Sequence, residues 1–226
     1  MHQKNYDSVK TLAIASGADL FGIANTARLH KYIHNEILEP ARKLPFTVSV
    51  GIRLQPAVLN SLIDRPNQIY KTHYRQVNSA LDSITHRLAS HIQAQGYNAL
   101  PVLASFIVDW QKQNAHISHR HAAIEAGLGH LGKNNLLIHP LYGAAIRLSS
   151  VLTDLPLVAD SPVDNSCGNC SACMITCPAD AITEQGFDFE KCYAQIKRFA
   201  KENNYNLHIC GLCVSACADV HKRSQS

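Results

Sequence analysis

Eight cysteines make up the part of this sequence with the clearest chemistry. The chain has no cysteine before Cys167, and the last is Cys217. The first four follow the spacing Cys-x2-Cys-x2-Cys-x3-Cys-Pro and the other four are spread more widely, namely Cys167, Cys170, Cys173 and Cys177, then Cys192, Cys210, Cys213 and Cys217. Close thiolates of this spacing followed by Cys-Pro are typical of [4Fe–4S] ligation. A four-iron cube takes one thiolate per iron, so eight cysteines predict two [4Fe–4S] clusters with none left over.

Two other uses of cysteine fit the pattern less well. Disulfides suit small secreted domains, and the apolar stretch Thr11–Ala24 is interrupted by Asp19 and lacks the cleavage site of a signal peptide. Zinc sites usually consist of separated Cys-x2-Cys pairs, unlike the first cysteine run here. The sequence therefore favours iron–sulfur clusters over disulfides or zinc.

The first cysteine run also resembles that of bacterial ferredoxins, whose fourth cysteine binds the second cluster. By that resemblance, one cluster would take Cys167, Cys170, Cys173 and Cys217, and the other Cys177, Cys192, Cys210 and Cys213. Cys192 departs from the ferredoxin pattern, because it does not lie two residues before the next ligand.

The composition is that of a globular protein, with 46% hydrophobic and 17% charged residues among 226. No apolar run approaches the length of a membrane span. Oxygen-sensitive clusters and an uncleaved start predict a cytoplasmic location. The net charge of +4 is a poor argument for nucleic acid, because two thiolate-bound clusters would bring the loaded protein to roughly neutral.

The helices and strands that must position these residues are predicted to form an α/β layer. Helical periodicity predicts one helix from Asp7 to Ser16 and a long one from about Gln68 to Gln95, whose apolar stripe includes Ile69, Val77, Leu81, Ile84, Leu88 and Ile92. A short helix is expected within Asn25–Lys43 and another between Pro56 and Pro66. Apolar runs predict strands, namely Leu20–Ala24, Phe46–Leu54, Leu100–Val108, Asn135–His139 and Ala144–Val151.

Polar groups follow the predicted strand Leu100–Val108. Asp109 comes directly after its end, where α/β sheets place functional groups. An acid there can donate a proton if burial raises its pKa, or it can cap the following loop. The nearby His116, His119 and His121 are candidates for a metal site. They are interpreted instead as solvated or core-edge residues, since His119 and His121 do not share one face of the helix that Ser118 begins.

Three glycines, Gly127, Gly129 and Gly132, follow that helix. The pattern G-x-G-x-x-G resembles a dinucleotide-binding loop, which needs a strand before it and a helix after it. Here a helix precedes and a strand follows, so the nucleotide interpretation is rejected. Tight turns and close backbone approach to a ligand remain as roles.

Several tracts together resemble the epoxyqueuosine reductases, which are related to the reductive dehalogenases. They are Ala126–Asn134, Leu136–Pro140, Leu152–Leu157 and the cysteine run from Cys167 to Pro178. The resemblance implies a nitroreductase-like, B12-type α/β domain that binds a corrinoid and the substrate, here 1–158. A ferredoxin-type domain with two [4Fe–4S] clusters would follow at 159–226. It further implies a bound cobalamin (cobamide), backbone approach to the corrin at the three glycines, and an external electron donor of the flavodoxin or ferredoxin type.

Three positions depart from that family's pattern. Val108-Asp109 matches its catalytic Val-Asp pair, but a longer segment follows and the usual Glu-Arg pair is missing. Members continue into a helical region that helps hold tRNA, whereas this sequence ends at Ser226, and Ala218 replaces the proline after the last cysteine. We therefore expect a substrate smaller than tRNA, such as a small molecule or a nucleoside, or tRNA that is bound with help from another component.

Three functions are compatible with the sequence. The first is a reductase in which electrons pass through the clusters to a cobamide, with Asp109 as the proton donor and Tyr70 or Tyr74 in reserve. The second is a ferredoxin-like electron-transfer protein without its own substrate, and the third is a module that only holds a corrinoid. The length of the α/β domain favours the first, because a bare ferredoxin does not need it.

Overall fold

The computed structural model describes residues 1–204 and 206–223, so Ser226, the end of the predicted second domain, lies outside the described residues. The helices are α1 His2–Ala15, α2 Asn35–Arg42, α3 Pro56–Leu59, α4 Gln68–Gln93, α5 His119–Glu125, α6 Ala172–Thr176, α7 Phe189–Glu202 and α8 Leu212–Arg223. The strands are β1 Leu20–Asn25, β2 Phe46–Arg53, β3 Ala99–Val102, β4 His130–Leu131, β5 Leu137–Ile138, β6 Ile146–Thr153, β7 Ile182–Thr183 and β8 Gly186–Phe187. A 3-10 helix, Thr26–Tyr32, joins β1 to α2. The fold is thus a mixed α/β fold.

The chain falls into two compact units. The first comprises Met1–Ile52, Val77–His130 and Arg147–Asp164, and the second comprises Arg53–Gln76, Leu131–Ile146 and the described residues from Asn165 onward. The linear division into 1–158 and 159–226 remains a prediction about function.

The first unit is built on a four-stranded sheet in the order β1-β2-β6-β3. β1 pairs antiparallel with β2, and β3 pairs antiparallel with β6. Apolar residues of the sheet, the 3-10 helix, α2 and α5 form one buried cluster, which includes Ala24, Leu29, Ile33, Leu44, Ile117, Ala122 and Leu152.

The predicted elements agree with the structure in their cores and differ at their ends. Helix α1 begins at His2, so Asp7 lies inside the helix and not at its start. The helix ends before Gly17, whose φ of +101° favours glycine. On α4, Leu81, Ile84, Leu88 and Ile92 are fully buried, whereas Ile69 is 55% exposed. Tyr70 takes the buried position in that first turn, at 3% exposure.

The largest error concerns the strand expected over Leu100–Val108. β3 stops at Val102 because the next segment finds other hydrogen-bond partners. The Ala104 N–H donates to the Asp82 carboxylate at 2.8 Å, and Val108 bonds to Asn114 within a turn. The expected strands Asn135–His139 and Ala144–Val151 are observed as the shorter β5 and the shifted β6. Asp109 is therefore in a loop and not at a strand end.

No helix in the described part of the chain is both long and apolar enough to cross a membrane.

Candidate functional site

All eight cysteines belong to the second unit and lie among the described residues. No disulfide joins any two of them. Cys173 lies on α6, Cys192 on α7, and Cys213 and Cys217 on α8. Helix α8 packs against α6 and also against α3, where the Ser215 hydroxyl donates to the Leu59 carbonyl at 3.1 Å. This packing brings the end of the cysteine segment back to its beginning.

Electrostatic effects indicate which thiols lie near one another. Burial raises the pKa of Cys217 to about 11, and the neighbouring Cys167, Cys173 and Cys170 add to that rise. Burial raises the pKa of Cys210 to about 11 as well, with Cys192 and Cys177 as its neighbours. Burial raises the pKa of Cys213 further, and Cys210, Cys192, Cys173 and Cys177 add to that rise in decreasing order. Cys213 therefore neighbours cysteines of both predicted ligand sets, and the division of the eight cysteines between two clusters remains a prediction.

Backbone amides also reach these sulfurs. The Ala181 N–H lies 3.4 Å from Cys177 Sγ, and the amides of Leu212 and Ala144 bond to Cys210 and Cys217 and oppose the rise of their pKa values. Such N–H donors stabilise negative charge on sulfur and are among the factors that set the potential of iron–sulfur clusters.

A cation fits this donor set chemically. Thiols bind metal as thiolates, and thiols whose pKa is raised by burial stay protonated at neutral pH unless a positive group compensates them. Among residues 1–204 and 206–223, no three His, Cys, Asp or Glu side chains are arranged to hold one metal ion. That result concerns ligands converging on a single ion, whereas a cube binds each of its four thiolates through a different iron.

Two glycines bring backbone close to the cysteine helix and loop. A Cβ on Gly143 would lie 2.9 Å from Cys217 Sγ, and a Cβ on Gly211 would lie 2.6 Å from ring carbons of Tyr70. Tyr70 therefore packs directly on the loop Cys210–Cys213. Tyr74 stacks at a tilt beside it, with ring centroids 6.4 Å apart. The sequence alone does not show this packing, because a long-range contact determines it.

The glycines expected to face a corrin have protein neighbours of their own. Gly127 has φ of +72°, and a Cβ there would lie 2.5 Å from the Ser161 carbonyl oxygen. In the second unit, a Cβ on Gly132 would lie 2.5 Å from Ile138. Gly129 has φ of +155° and is buried. Packing inside the protein thus already requires glycine at 127 and 132.

One buried amide in the second unit, that of Asn134 beside Gly132, has a donor without a partner among the described residues. Asn134 is 4% exposed, and its Oδ1 accepts the Leu136 N–H at 3.2 Å. Its Nδ2 has no hydrogen-bond partner among the described residues. A buried donor without a partner is costly, so this group is a candidate contact for a bound ligand.

Asp109 lies in the loop between β3 and α5. Its Oδ1 accepts the N–H groups of Gln111 at 2.9 Å and Lys112 at 3.0 Å. These bonds lower the pKa of the Asp109 carboxyl, and the bond from Lys112 has the larger effect. In this conformation the carboxylate caps a turn, the second of the two roles considered for it.

The three histidines near Asp109 do not converge. His116 lies 3.3 Å from the Glu36 carboxylate and stacks on Phe106. His119 contacts Ser150 and the Leu103 carbonyl, whereas His121 contacts Ser118 and stacks on Tyr32. This arrangement agrees with their interpretation as core-edge residues.

Comparison with known proteins identifies relatives. No family model matches the chain. Epoxyqueuosine reductase of Aliivibrio fischeri is 29% identical over 187 residues, covering 70% of this chain and 47% of the relative. Epoxyqueuosine reductase of Salmonella typhimurium is 31% identical over 207 residues, covering 78% and 52%. The chain therefore spans about half the length of these curated relatives.

Solved structures share the fold. A B12-dependent reductive dehalogenase superimposes with a TM-score of 0.74 at 21% identity, covering 94% of this chain and 31% of the other. An epoxyqueuosine reductase bound to an epoxyqueuosine-modified tRNA-Tyr stem loop superimposes with a TM-score of 0.67 at 17% identity, covering 96% and 65%. The chain therefore belongs to the epoxyqueuosine reductase-like family, whose fold it shares with the reductive dehalogenases.

Proposed function

We propose that this chain is an iron–sulfur oxidoreductase of the epoxyqueuosine reductase type. The observation that carries the proposal is that the second unit gathers all eight cysteines, none of them in a disulfide, and packs α6 against α8. The first set, Cys167, Cys170, Cys173 and Cys217, would hold one [4Fe–4S] cluster, and Cys177, Cys192, Cys210 and Cys213 would hold the other. Residues 159–226 would then form a ferredoxin-type domain. Thiols of this kind stay reduced in the cytoplasm, which we propose as the location.

A cobamide is the second proposed cofactor, and its support is the family likeness. When bound, it would supply a cobalt ion that takes electrons from the clusters and delivers them to the substrate. The chain would contribute the backbone around Gly127, Gly129 and Gly132 and the partnerless Nδ2 amide of Asn134.

Asp109 is the proposed proton donor for the reduction. Its present hydrogen bonds to Gln111 and Lys112 hold it as a carboxylate. Donation therefore requires that the turn release the side chain when substrate binds, so that desolvation can raise its pKa. If Asp109 keeps its capping role, Tyr70 or Tyr74 would take over.

The proposed substrate is a modified nucleoside, free or within RNA. One relative of known structure binds a tRNA stem loop, and an exposed loop of this chain carries side chains suited to bases and phosphates. Phe106 is 47% exposed and Trp110 62% exposed, and Lys112 lies in the same loop. Bases stack on aromatic rings and phosphates attract ammonium groups. The electron donor would be an external flavodoxin or ferredoxin.

Anaerobic reconstitution with iron, sulfide and a cobamide tests the proposal. After desalting, we expect about eight irons per chain, as two cubes contain, together with the corrin absorption bands. Iron without corrin bands would indicate the ferredoxin-like electron carrier, and corrin without iron the corrinoid-binding module. A chain that retains neither would overturn the proposal. Zinc in preference to iron would overturn the cluster assignment as well.

The role of Asp109 is tested with a conservative substitution. Asp109→Asn keeps the shape of the side chain and removes the acid. We expect both cofactors to remain bound while turnover of an epoxyqueuosine-containing stem loop or nucleoside falls by a factor of about 100 or more. Full activity in this variant would assign the proton to a tyrosine or to solvent.

A further inference from the structure

Lys133 makes two contacts within the second unit that tie it to the first cysteine set. Its Nζ donates to the Cys170 carbonyl at 3.1 Å and to Glu184 Oε1 at 2.9 Å. Cys170 is the second cysteine of the run, and Glu184 lies in the turn between β7 and β8. One ammonium therefore joins the cysteine loop to the tip of a hairpin.

The ammonium is also close enough to the sulfurs to act on their charge. The hydrogen bond to Glu184 raises the pKa of Lys133, and the neighbouring Cys167 and Cys173 thiols add to this effect. The Lys133 side chain is only 20% exposed, whereas that of Glu184 is 61% exposed. Charges that are partly shielded from solvent are screened less by water and salt, so Lys133 acts more strongly on the sulfurs than Glu184 opposes it.

We propose that Lys133 is a positioning residue that raises the reduction potential of the cluster held by Cys167, Cys170, Cys173 and Cys217, and that Glu184 moderates the effect. This inference rests on the proposed function. In the step concerned, one electron passes from the external flavodoxin or ferredoxin, which is oxidised, to the cluster, which is reduced. No bond is broken and no proton is transferred. Because the reduced cluster is more negative, a fixed cation beside its ligands stabilises it more than the oxidised one.

A purely mechanical role is the alternative. Lys133 would then only hold the Cys170 carbonyl against the hairpin, and its charge would not affect the cluster. The two roles differ in what Glu184 does. Neutralising Glu184 removes a negative charge and leaves the Lys133 contact to the cysteine loop available, so a mechanical clamp predicts at most a looser loop and no directed change of potential.

The test is a redox titration of the reconstituted protein followed by electron paramagnetic resonance. For Lys133→Gln, we expect the ratio of reduced to oxidised cluster at a fixed potential to fall about tenfold, a shift of about 59 mV to more negative values. Glu184→Gln should shift the reduction potential of the same cluster to more positive values, and Lys133→Arg should have the parent potential. Arg198→Gln is the matched control, because it breaks an exposed ion pair with Glu202 in the same unit; it should shift neither cluster.

The outcomes separate this inference from the proposed function. Parent protein without iron would mean that the proposed function itself is wrong, and the inference would fail with it. If both Lys133→Gln and Glu184→Gln keep their iron and the parent reduction potential, only the inference about Lys133 is overturned. If Lys133→Gln loses iron, the other two variants decide between the roles. A positive shift of the reduction potential in Glu184→Gln, together with the parent potential in Lys133→Arg, supports the electrostatic role. No positive shift in Glu184→Gln would leave Lys133 as a mechanical clamp.

Discussion

At the scale of single residues, the thiols carry most of the chemistry. Burial raises the pKa of Cys210 and Cys217 to about 11, so these side chains are protonated in the free protein near neutral pH. Assembly of the proposed clusters would have to remove those protons, with iron as the cation that compensates the resulting thiolates. The free energy of cluster binding would therefore be linked to pH and become more favourable as pH rises.

The first prediction at this scale concerns which cysteines bind which cluster. Cys170→Ala should lose or degrade one cluster and Cys192→Ala the other, because their thiols have different neighbours, Cys192 lying near Cys177. Each variant should therefore retain about half of the iron of the parent. Iron and sulfide analysis checks this. If Cys192→Ala keeps about eight irons per chain, Cys192 is not a ligand.

The glycines provide the second prediction. Gly129→Val should abolish cobamide binding and leave the iron content unchanged, since a branched side chain would fill the space that the corrin needs and would oppose the positive φ. Gly132→Val serves as contrast: its Cβ would meet Ile138, so it should lower thermal stability whether or not a corrinoid binds. Cobamide retention by Gly129→Val at the parent level would make this glycine a structural turn only.

At the scale of elements, Asp160 joins helix α1 to the open edge of strand β1. Its backbone N–H donates to the Ile23 carbonyl at 2.7 Å, and its carboxylate accepts the Ile23 N–H at 2.8 Å. The Tyr6 hydroxyl of α1 donates to the same carboxylate at 3.2 Å, and burial, followed by Asp160, raises the pKa of Tyr6 to about 12. One residue thus protects a strand edge and fixes a helix.

The third prediction follows from these bonds. Asp160→Ala leaves the Ile23 N–H and the Tyr6 hydroxyl without their charged acceptor and should lower the free energy of unfolding by about 2–3 kcal/mol. Tyr6→Phe removes one bond and should cost about 1 kcal/mol. Urea titrations of both variants and the parent measure the difference. Equal losses in the two variants would mean that the strand edge does not depend on the carboxylate.

The sequence predicted these elements where periodicity was strong. The apolar stripe of α4 and the strands β1 and β2 were found within a few residues, because local burial determines them: one face of α4 is buried, and β1 and β2 are buried at nearly every position. The end of β3 was missed, since the Asp82 carboxylate that diverts Ala104 is remote in sequence. At the site, the spacing of the cysteines predicted clusters and the ferredoxin resemblance implied their ligand sets, which remain predictions. The contacts of Lys133 with Glu184 and of Tyr70 with Gly211 join distant segments and left no local pattern.

At the scale of the whole molecule, the two units carry different parts of the proposed chemistry. All eight cysteines lie in the second unit, which also recruits Arg53–Gln76 and Leu131–Ile146 from earlier in the chain. Asp109 and the histidines around it lie in the first unit. A linear reading of the sequence cannot show this interleaving, because chain neighbours such as His130 and Leu131 belong to different units.

Global stability should fall in mild acid, because two histidines of the first unit are neutral in the folded state. His119 Nε2 donates to the Leu103 carbonyl at 3.0 Å, which makes Nδ1 the acceptor for the Ser150 hydroxyl at 2.9 Å. Burial lowers the pKa of His119 to about 4, and Arg147 contributes. Burial likewise lowers the pKa of His121 to about 4, with Arg120 and Lys31 contributing.

The sign of the last prediction follows from proton uptake on unfolding. Between about pH 6.5 and pH 4, the unfolded chain binds a proton at each of these histidines and the folded chain does not. The contribution of these histidines to the free energy of unfolding is therefore fully present above pH 6.5. It is lost toward pH 4, by roughly 1 kcal/mol per pH unit for each histidine. His119→Gln should remove about half of that slope in parallel urea titrations at several pH values. His2→Gln, a change at an exposed histidine, is the control and should keep the parent slope. A His119→Gln slope equal to the parent's would show that His119 does not cause the acid sensitivity.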